Sequence, residues 1–225
     1  MDDAWTWMAV GLTACALVLY EALLFALQRR RPERLARTRH AGLREDWFAA
    51  VSQHGGSEIL AVQTLRNSLM SATMLASTAV LALMGTVTLV APSLHAGLAR
   101  ADGAWAVDAR LVLELLLLGL LCASLVATLM AVRFYNHAGF IGGMPVDSHA
   151  RARWSRAGVR YVRRAGILYG IGLRQLVLAV PVVAAILLPA AGPLAAVAVG
   201  AALYCFDRIG DDPSTSGMTA RSSTS

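Results

Sequence analysis

The polar residues of this chain that could do chemistry stand where polarity costs most. Gln63, Thr64, Arg66, Asn67, Ser71, Ser77 and Thr78 interrupt a run otherwise made mainly of Leu, Met, Ala and Val, and Glu21 and Arg174 each stand inside a further apolar run. At about 100° per helical residue, Gln63, Arg66, Asn67, Met70, Ser71, Met74, Ser77 and Thr78 share roughly 140° of arc, leaving Leu69, Ala72, Leu75 and Ala76 on other faces. Unpaired polar groups are costly against lipid tails, so this stripe is expected to face neighbouring helices or a wet cavity. An ionisable group within a span is by default a functional candidate, which gives Glu21 a possible role in carrying a proton or cation. The structural alternative is that Glu21 pairs with Arg66 or Arg174 and ties two helices together. Glu21, Gln63, Arg66, Asn67, Ser71 and Arg174 form the expected polar cluster within the membrane.

Several other chemistries are closed off. All 20 basic residues are arginine, so a phosphate-binding loop or a Schiff base, which need lysine, cannot form. The His-Glu-x-x-His, Gly-x-Ser-x-Gly and Ser-x-x-Lys patterns are missing, which excludes the common soluble enzyme classes. His40, His54, His95, His137 and His149 are expected in loops or at helix ends, so no metal, haem or other cofactor is expected. Met70 and Met74, four apart, could hold a soft metal such as copper(I), but methionine is the usual gap filler of helix cores and packing is preferred. Cys15, Cys122 and Cys205 lie in apolar runs without a Cys-x-x-Cys and read as small core residues.

The elements that position these residues are membrane helices. With 57% hydrophobic residues and a mean hydropathy of +0.57, the 225-residue chain is too apolar for a soluble domain. Four runs are long enough to span: about 5–27, 66–91, 111–132 and 167–189. Pro92 should end the second, and Asp108 should cap the third, with Arg110 and Glu114 paired one turn apart. The stretch after Gly166 holds Pro181, Pro189 and Pro193 and is too long for one straight span. A fourth span bent or broken at the prolines, with extension 190–206, is preferred; the alternative is a hairpin whose last segment, Leu194 to Phe206, returns. The fold class is an all-α integral membrane bundle of four spans with amphipathic interfacial helices, and the tail 207–225 is expected to be disordered.

Eight arginines fall between Arg29 and Arg66, eight between Arg133 and Arg174, two in the middle loop and two in the tail. By the positive-inside rule both arginine-rich loops lie in the cytoplasm and the N-terminus outside, in the inner (plasma) membrane. The first loop carries a helical pattern of Leu35, Leu43, Trp47 and Val51, breaks at His54-Gly55-Gly56, and restarts at Ser57. The second begins at Arg133, and Arg133, Tyr135, Asn136 and His137 form a candidate inner-leaflet site. In its later part Arg153, Arg156, Arg160, Arg163 and Arg164 share one arc against Trp154, Gly158, Tyr161, Val162 and Ala165. That pattern fits a helix lying in the interface and binding anionic lipid. A pI near 9.9 therefore reports orientation and lipid headgroups, and nucleic acid is not an expected partner. Ser124, Thr128 and Tyr135 share a face that could join the polar stripe, and Gly166 and Gly170 have small-xxx-small spacing.

At Gln63-Thr64-Leu65-Arg66-Asn67 with Met70 and Leu75-Ala76-Ser77, at Arg133-Phe134-Tyr135-Asn136-His137, and at Gly172-Leu173-Arg174, the chain resembles an uncharacterised domain-of-unknown-function family of bacterial and plant multi-pass membrane proteins. The resemblance runs from about Trp5 to Phe206. It implies the fold and brings no activity. The chain departs from the family pattern after Arg174, where Gln175-Leu176-Val177 replace aromatics. Three functions are carried forward, in order. The first is a scaffold or accessory subunit with a membrane-protein partner or a second copy. The second is an oligomeric transporter or channel lined by the polar faces. The third is a lipid-headgroup-handling enzyme using Asn136, His137 and the arginines.

Overall fold

The computed structural model describes residues 2–30, 36–98 and 108–208, and among them all regular structure is helical. The six helices are α1 Asp2–Arg30, α2 Ala36–Val51, α3 Glu58–Leu98, α4 Ala109–Gly142, α5 His149–Leu187 and α6 Ala191–Arg208. Four of them, α1, α3, α4 and α5, are long and apolar enough to cross a membrane. Leu35, Arg100 and nearly all of the expected tail fall outside the described residues.

Helix ends depart from several expectations. Pro92 lies inside α3 and Pro181 inside α5, because a proline removes one backbone donor and the rest of the ladder can carry the helix past it. The break comes instead at Leu188–Ala190, after which α6 packs back along α5 and α1. The chain thus takes the hairpin alternative. Gly56 turns α2 into α3 with a φ of +85°, a left-handed conformation natural to glycine. Ser57 closes that turn by donating to the carbonyls of Val51 and His54, at 2.7 and 2.6 Å. Asp108 occupies the N-cap of α4 without a side-chain cap bond, whereas Ser148 caps α5 by accepting from the Arg151 amide at 3.1 Å.

Contacts between helices set their register. Gly142 of α4 stands against Leu65 and Ala61 of α3, while Gly158 of α5 stands against Ile141 and Gly172 against Thr128. Both neighbours therefore run antiparallel to α4, and Arg133, about 14 Å before Gly142, lies roughly level with Ser71 to Met74 of α3 and with Gly166 of α5. From Ala109 to Val132, α4 presents about 36 Å of apolar helix, enough for a hydrocarbon core of roughly 30 Å. Past the Arg133 level all three helices continue for roughly 15–25 Å. There α2 joins them, and Phe48, Leu65, Tyr135, Ala138, Ile141, Ala157 and Val162 make a second core. We call this end of the molecule the platform. The first core, with Val10, Leu17, Leu117, Leu121, Leu178, Val182 and Ala196, lies between α1, α4, α5 and α6.

Two expected loop features are corrected by this register. Residues 133–142 continue α4 as helix, and the arginine-rich segment 153–164 continues α5 without a break. The latter is no separate helix lying on the lipid surface. Its apolar side, with Gly158 and Val162, packs on Phe48 and Ile141. An amphipathic pattern reports only that one face is dry, and here protein dries it.

Candidate functional site

The polar stripe of α3 faces outward. Gln63, Arg66, Asn67, Met70, Ser71, Met74, Ser77 and Thr78 are all exposed, while Ala61, Leu65, Ala72, Ala76 and Ala79 are buried. Without a hydrophobic driving force between helices in lipid, the small face packs inward because it lets backbones approach. The stripe is also less costly than its composition suggests. Gln63, Arg66 and Asn67 lie past the Arg133 level, on the platform. Ser71 and Thr78 donate to the carbonyls four residues earlier, Asn67 at 3.1 Å and Met74 at 3.0 Å, which leaves no hydroxyl proton for lipid to accommodate. The cysteines depart from expectation in the same way: Cys15, Cys122 and Cys205 are all exposed.

Ser124 and Thr128 turn to α5 and do not join the stripe. The Ser124 hydroxyl donates to the Gly172 carbonyl at 2.8 Å, and Thr128 donates to Ser124 at 2.8 Å. Tyr135 points to the inner side of α3, lining a cavity of about 300 Å³ with Arg44, Thr64, Ser68 and Val162. Arg133, Asn136 and His137 are exposed elsewhere on α4, so the four residues of the expected inner-leaflet site are not brought together. His137 stacks on Tyr161 at 5.8 Å.

Glu21 meets neither Arg66 nor Arg174 as an ion-pair partner. Its carboxylate accepts from the Gln175 amide at 3.3 Å, about 13 Å along α5 from Gly166 and so within the apolar layer. Gln175 thus has a definite partner. At the far end Arg110 donates to Glu114 at 2.9 Å, as expected, and Glu114 is buried. For Glu21 and Gln175, replacement of each by leucine and of both together is expected to show a coupling of about 0.6 kcal/mol in detergent unfolding, the usual size for an interhelical bond in a membrane. Strictly additive losses would remove the bond from the account. Glu21→Gln keeps an acceptor oxygen and should be nearly neutral for stability.

Of the five arginines expected on lipid, Arg163 pairs with Glu45 of α2 at 3.5 Å, Arg164 lies over Phe134 at 6.0 Å and Arg153 over Trp154 at 5.9 Å. Arg156 and Arg160 are exposed. The arginine that matters most to the fold was not among them. Arg151 is 1% exposed; it donates to the Ile141 carbonyl and, at 2.9 Å, to the Ser52 hydroxyl, with the Phe48 ring 5.3 Å away. It joins the ends of α2, α4 and α5. A helical wheel carries the signal, since Arg151 falls on the arc of Gly158 and Val162, opposite the other arginines.

A cavity of about 530 Å³ forms a groove where α2, α5 and α6 meet. His40 and Arg44 of α2 stand at its end beside Gly166, and it runs past Tyr169, Gly170 and Arg174 to Val177 and Val199. The Arg44 guanidinium fills the space over Gly166, where an added Cβ would come within 2.3 Å of it. Gly170 has no atom within 4 Å of such a Cβ, so the small-xxx-small pair opens a groove and does not close a helix contact.

Four crossing-length apolar helices, an interior packed with Leu and Val, and a polar platform at one end define a multi-pass helical membrane protein. The chain belongs to the family described as protein of unknown function, DUF599, whose family model matches residues 8–211. Neither the curated proteins nor the solved structures give a match.

Proposed function

We propose that this protein is a membrane scaffold or accessory subunit: its bundle anchors the platform, and the platform offers an arginine row to an acidic partner surface. One observation supports this above others. Arg153, Arg156 and Arg160 are exposed on a part of α5 that runs on from the membrane span, so that Arg160 stands about 9 Å and Arg153 about 20 Å past Gly166. A helix lying flat would hold all of them among headgroups. The headgroup layer takes up roughly the first 5–7 Å beyond the apolar core, so Arg160 stays near the lipid surface. Arg153 stands beyond a Debye length of about 8 Å from it, where charges gain little from lipid and an acidic partner is the better complement. With sixteen of the twenty arginines in the two platform-side segments, the positive-inside rule favours a platform in the cytoplasm, an N-terminus outside and a bundle in the inner membrane. A transport reading has less to rest on, because the core between α1, α4, α5 and α6 is apolar and close-packed.

A photo-crosslinking side chain at Arg153 in intact cells is expected to give a discrete protein adduct that is lost when Arg156 and Arg160 become glutamine. An adduct of twice the protein's own mass would identify the partner as a second copy. Crosslinks to lipid alone would overturn the proposal. Single cysteines at Gln53 and Ala104, in a background without native cysteines, should label with an impermeant reagent from opposite sides; labelling from one side would reject the orientation.

A further inference from the structure

We infer that the groove between α2, α5 and α6 is a binding site for one anionic phospholipid drawn from the leaflet at the platform end. This does not depend on the scaffold reading, because it uses a different surface of the molecule. The groove is amphipathic along its length. At its Gly166 end, level with Arg133 and so at the edge of the apolar layer, it is lined by the cationic Arg44 side chain and by His40. Some 16 Å along α5 it ends on Val177, with Val199 and Leu203 of α6 opposite. Arg174 lies between, and its long side chain can carry its charge toward the headgroup level along the apolar wall.

Three features select the ligand. Guanidinium groups recognise phosphate through charge-assisted hydrogen bonds, often in pairs, so the head of the ligand is an anionic phosphate. The wall beyond it is apolar at the depth where acyl chains run, so the tail is hydrocarbon. The groove is open on its outer side, where Leu173 and Phe206 are exposed, so a lipid can enter sideways without leaving the bilayer. Its volume is within the usual range for a ligand site, about 300–1,000 Å³. Gly170 keeps the channel clear, since a larger residue there would project into open space. The α6 return is what builds the site, because α6 supplies the wall opposite α5.

Native mass measurement of the purified protein in mild detergent tests this, with three probes added in turn: a phosphatidylglycerol, a phosphatidylcholine with the same tails, and inorganic phosphate. One phosphatidylglycerol per chain is expected to be retained, at least tenfold more tightly than phosphatidylcholine, and inorganic phosphate is not expected to displace it at equal concentration. Arg44→Gln should weaken retention about tenfold. Gly170→Leu, whose Cβ meets no packed neighbour, should abolish retention without lowering the unfolding temperature. Equal retention of the two lipids, or unchanged phosphatidylglycerol retention by folded Gly170→Leu, would overturn the assignment. Displacement by inorganic phosphate alone would make this an anion site and overturn the lipid.

Discussion

Gly172→Leu is expected to separate α4 from α5 and to lower stability by about 3 kcal/mol. A Cβ at position 172 would stand 2.4 Å from Thr128 Cγ2, 3.1 Å from the Ser124 carbonyl oxygen and 3.4 Å from the Thr128 amide nitrogen. Rotation of Thr128 could relieve the first contact, at the expense of its bonds to the Ser124 and Leu125 carbonyls. The other two neighbours are backbone, which yields only if a helix moves. Overpacking of this kind costs about 1–3 kcal/mol. Movement would also break the buried bond from Ser124 to the Gly172 carbonyl, worth roughly 0.6 kcal/mol in a membrane. Gly172→Ala should show a smaller loss of the same origin. Gly170→Ala is the control: with nothing within 4 Å of its Cβ, it should be neutral or stabilise the helix by up to about 1 kcal/mol. Thermal unfolding in mild detergent, followed by helical circular dichroism, measures all three. Equal losses at positions 170 and 172 would mean that the α4–α5 contact is not where the register places it.

Arg151→Ala should loosen the platform while the spans remain intact, with a loss of about 2–4 kcal/mol. The substitution leaves a cavity beside Phe48, and it removes the donors to the Ile141 carbonyl and the Ser52 hydroxyl. Ser52 still has the Phe48 carbonyl at 2.6 Å, so most of the loss falls on Ile141 and on packing. Three chain ends depend on this one guanidinium, and the α4–α5 turn adds a separate tie through the Val146 amide, which donates to Glu58 at 3.1 Å. Arg151→Lys keeps the charge but cannot serve two acceptors with a planar fork, and it should recover only part of the loss. Limited trypsin digestion is the direct readout: cleavage at Arg44 in α2 should become faster in Arg151→Ala, while the membrane helices stay protected. Unchanged protection and unchanged unfolding would show that Arg151 is only a passenger in the platform.

What the sequence determined by itself was what depends on hydropathy summed along the chain and on spacing within one helix. The four crossing-length helices were legible because a bilayer demands about 20 apolar residues and satisfies no backbone group. The Arg110–Glu114 pair was legible because its spacing is local to one helix. The tertiary structure decided which face of each helix is buried, and there polarity misled. On α3 the small Ala61, Ala72, Ala76 and Ala79 went inward and the polar and thioether stripe outward. In lipid, inward packing is won by close approach, while hydroxyls can satisfy themselves on their own helix. Register decided the rest. The place of Gly142 beside Leu65 puts Gln63 to Asn67 on the platform, and the contact of Gly158 with Phe48 turns an apparent membrane-surface helix into a protein-packed extension of α5. The pairing of Glu21 with Gln175 and the α6 wall of the groove also depend on which helices become neighbours. A single chain's pattern does not encode that choice locally, because it is set by the fit of whole faces against one another.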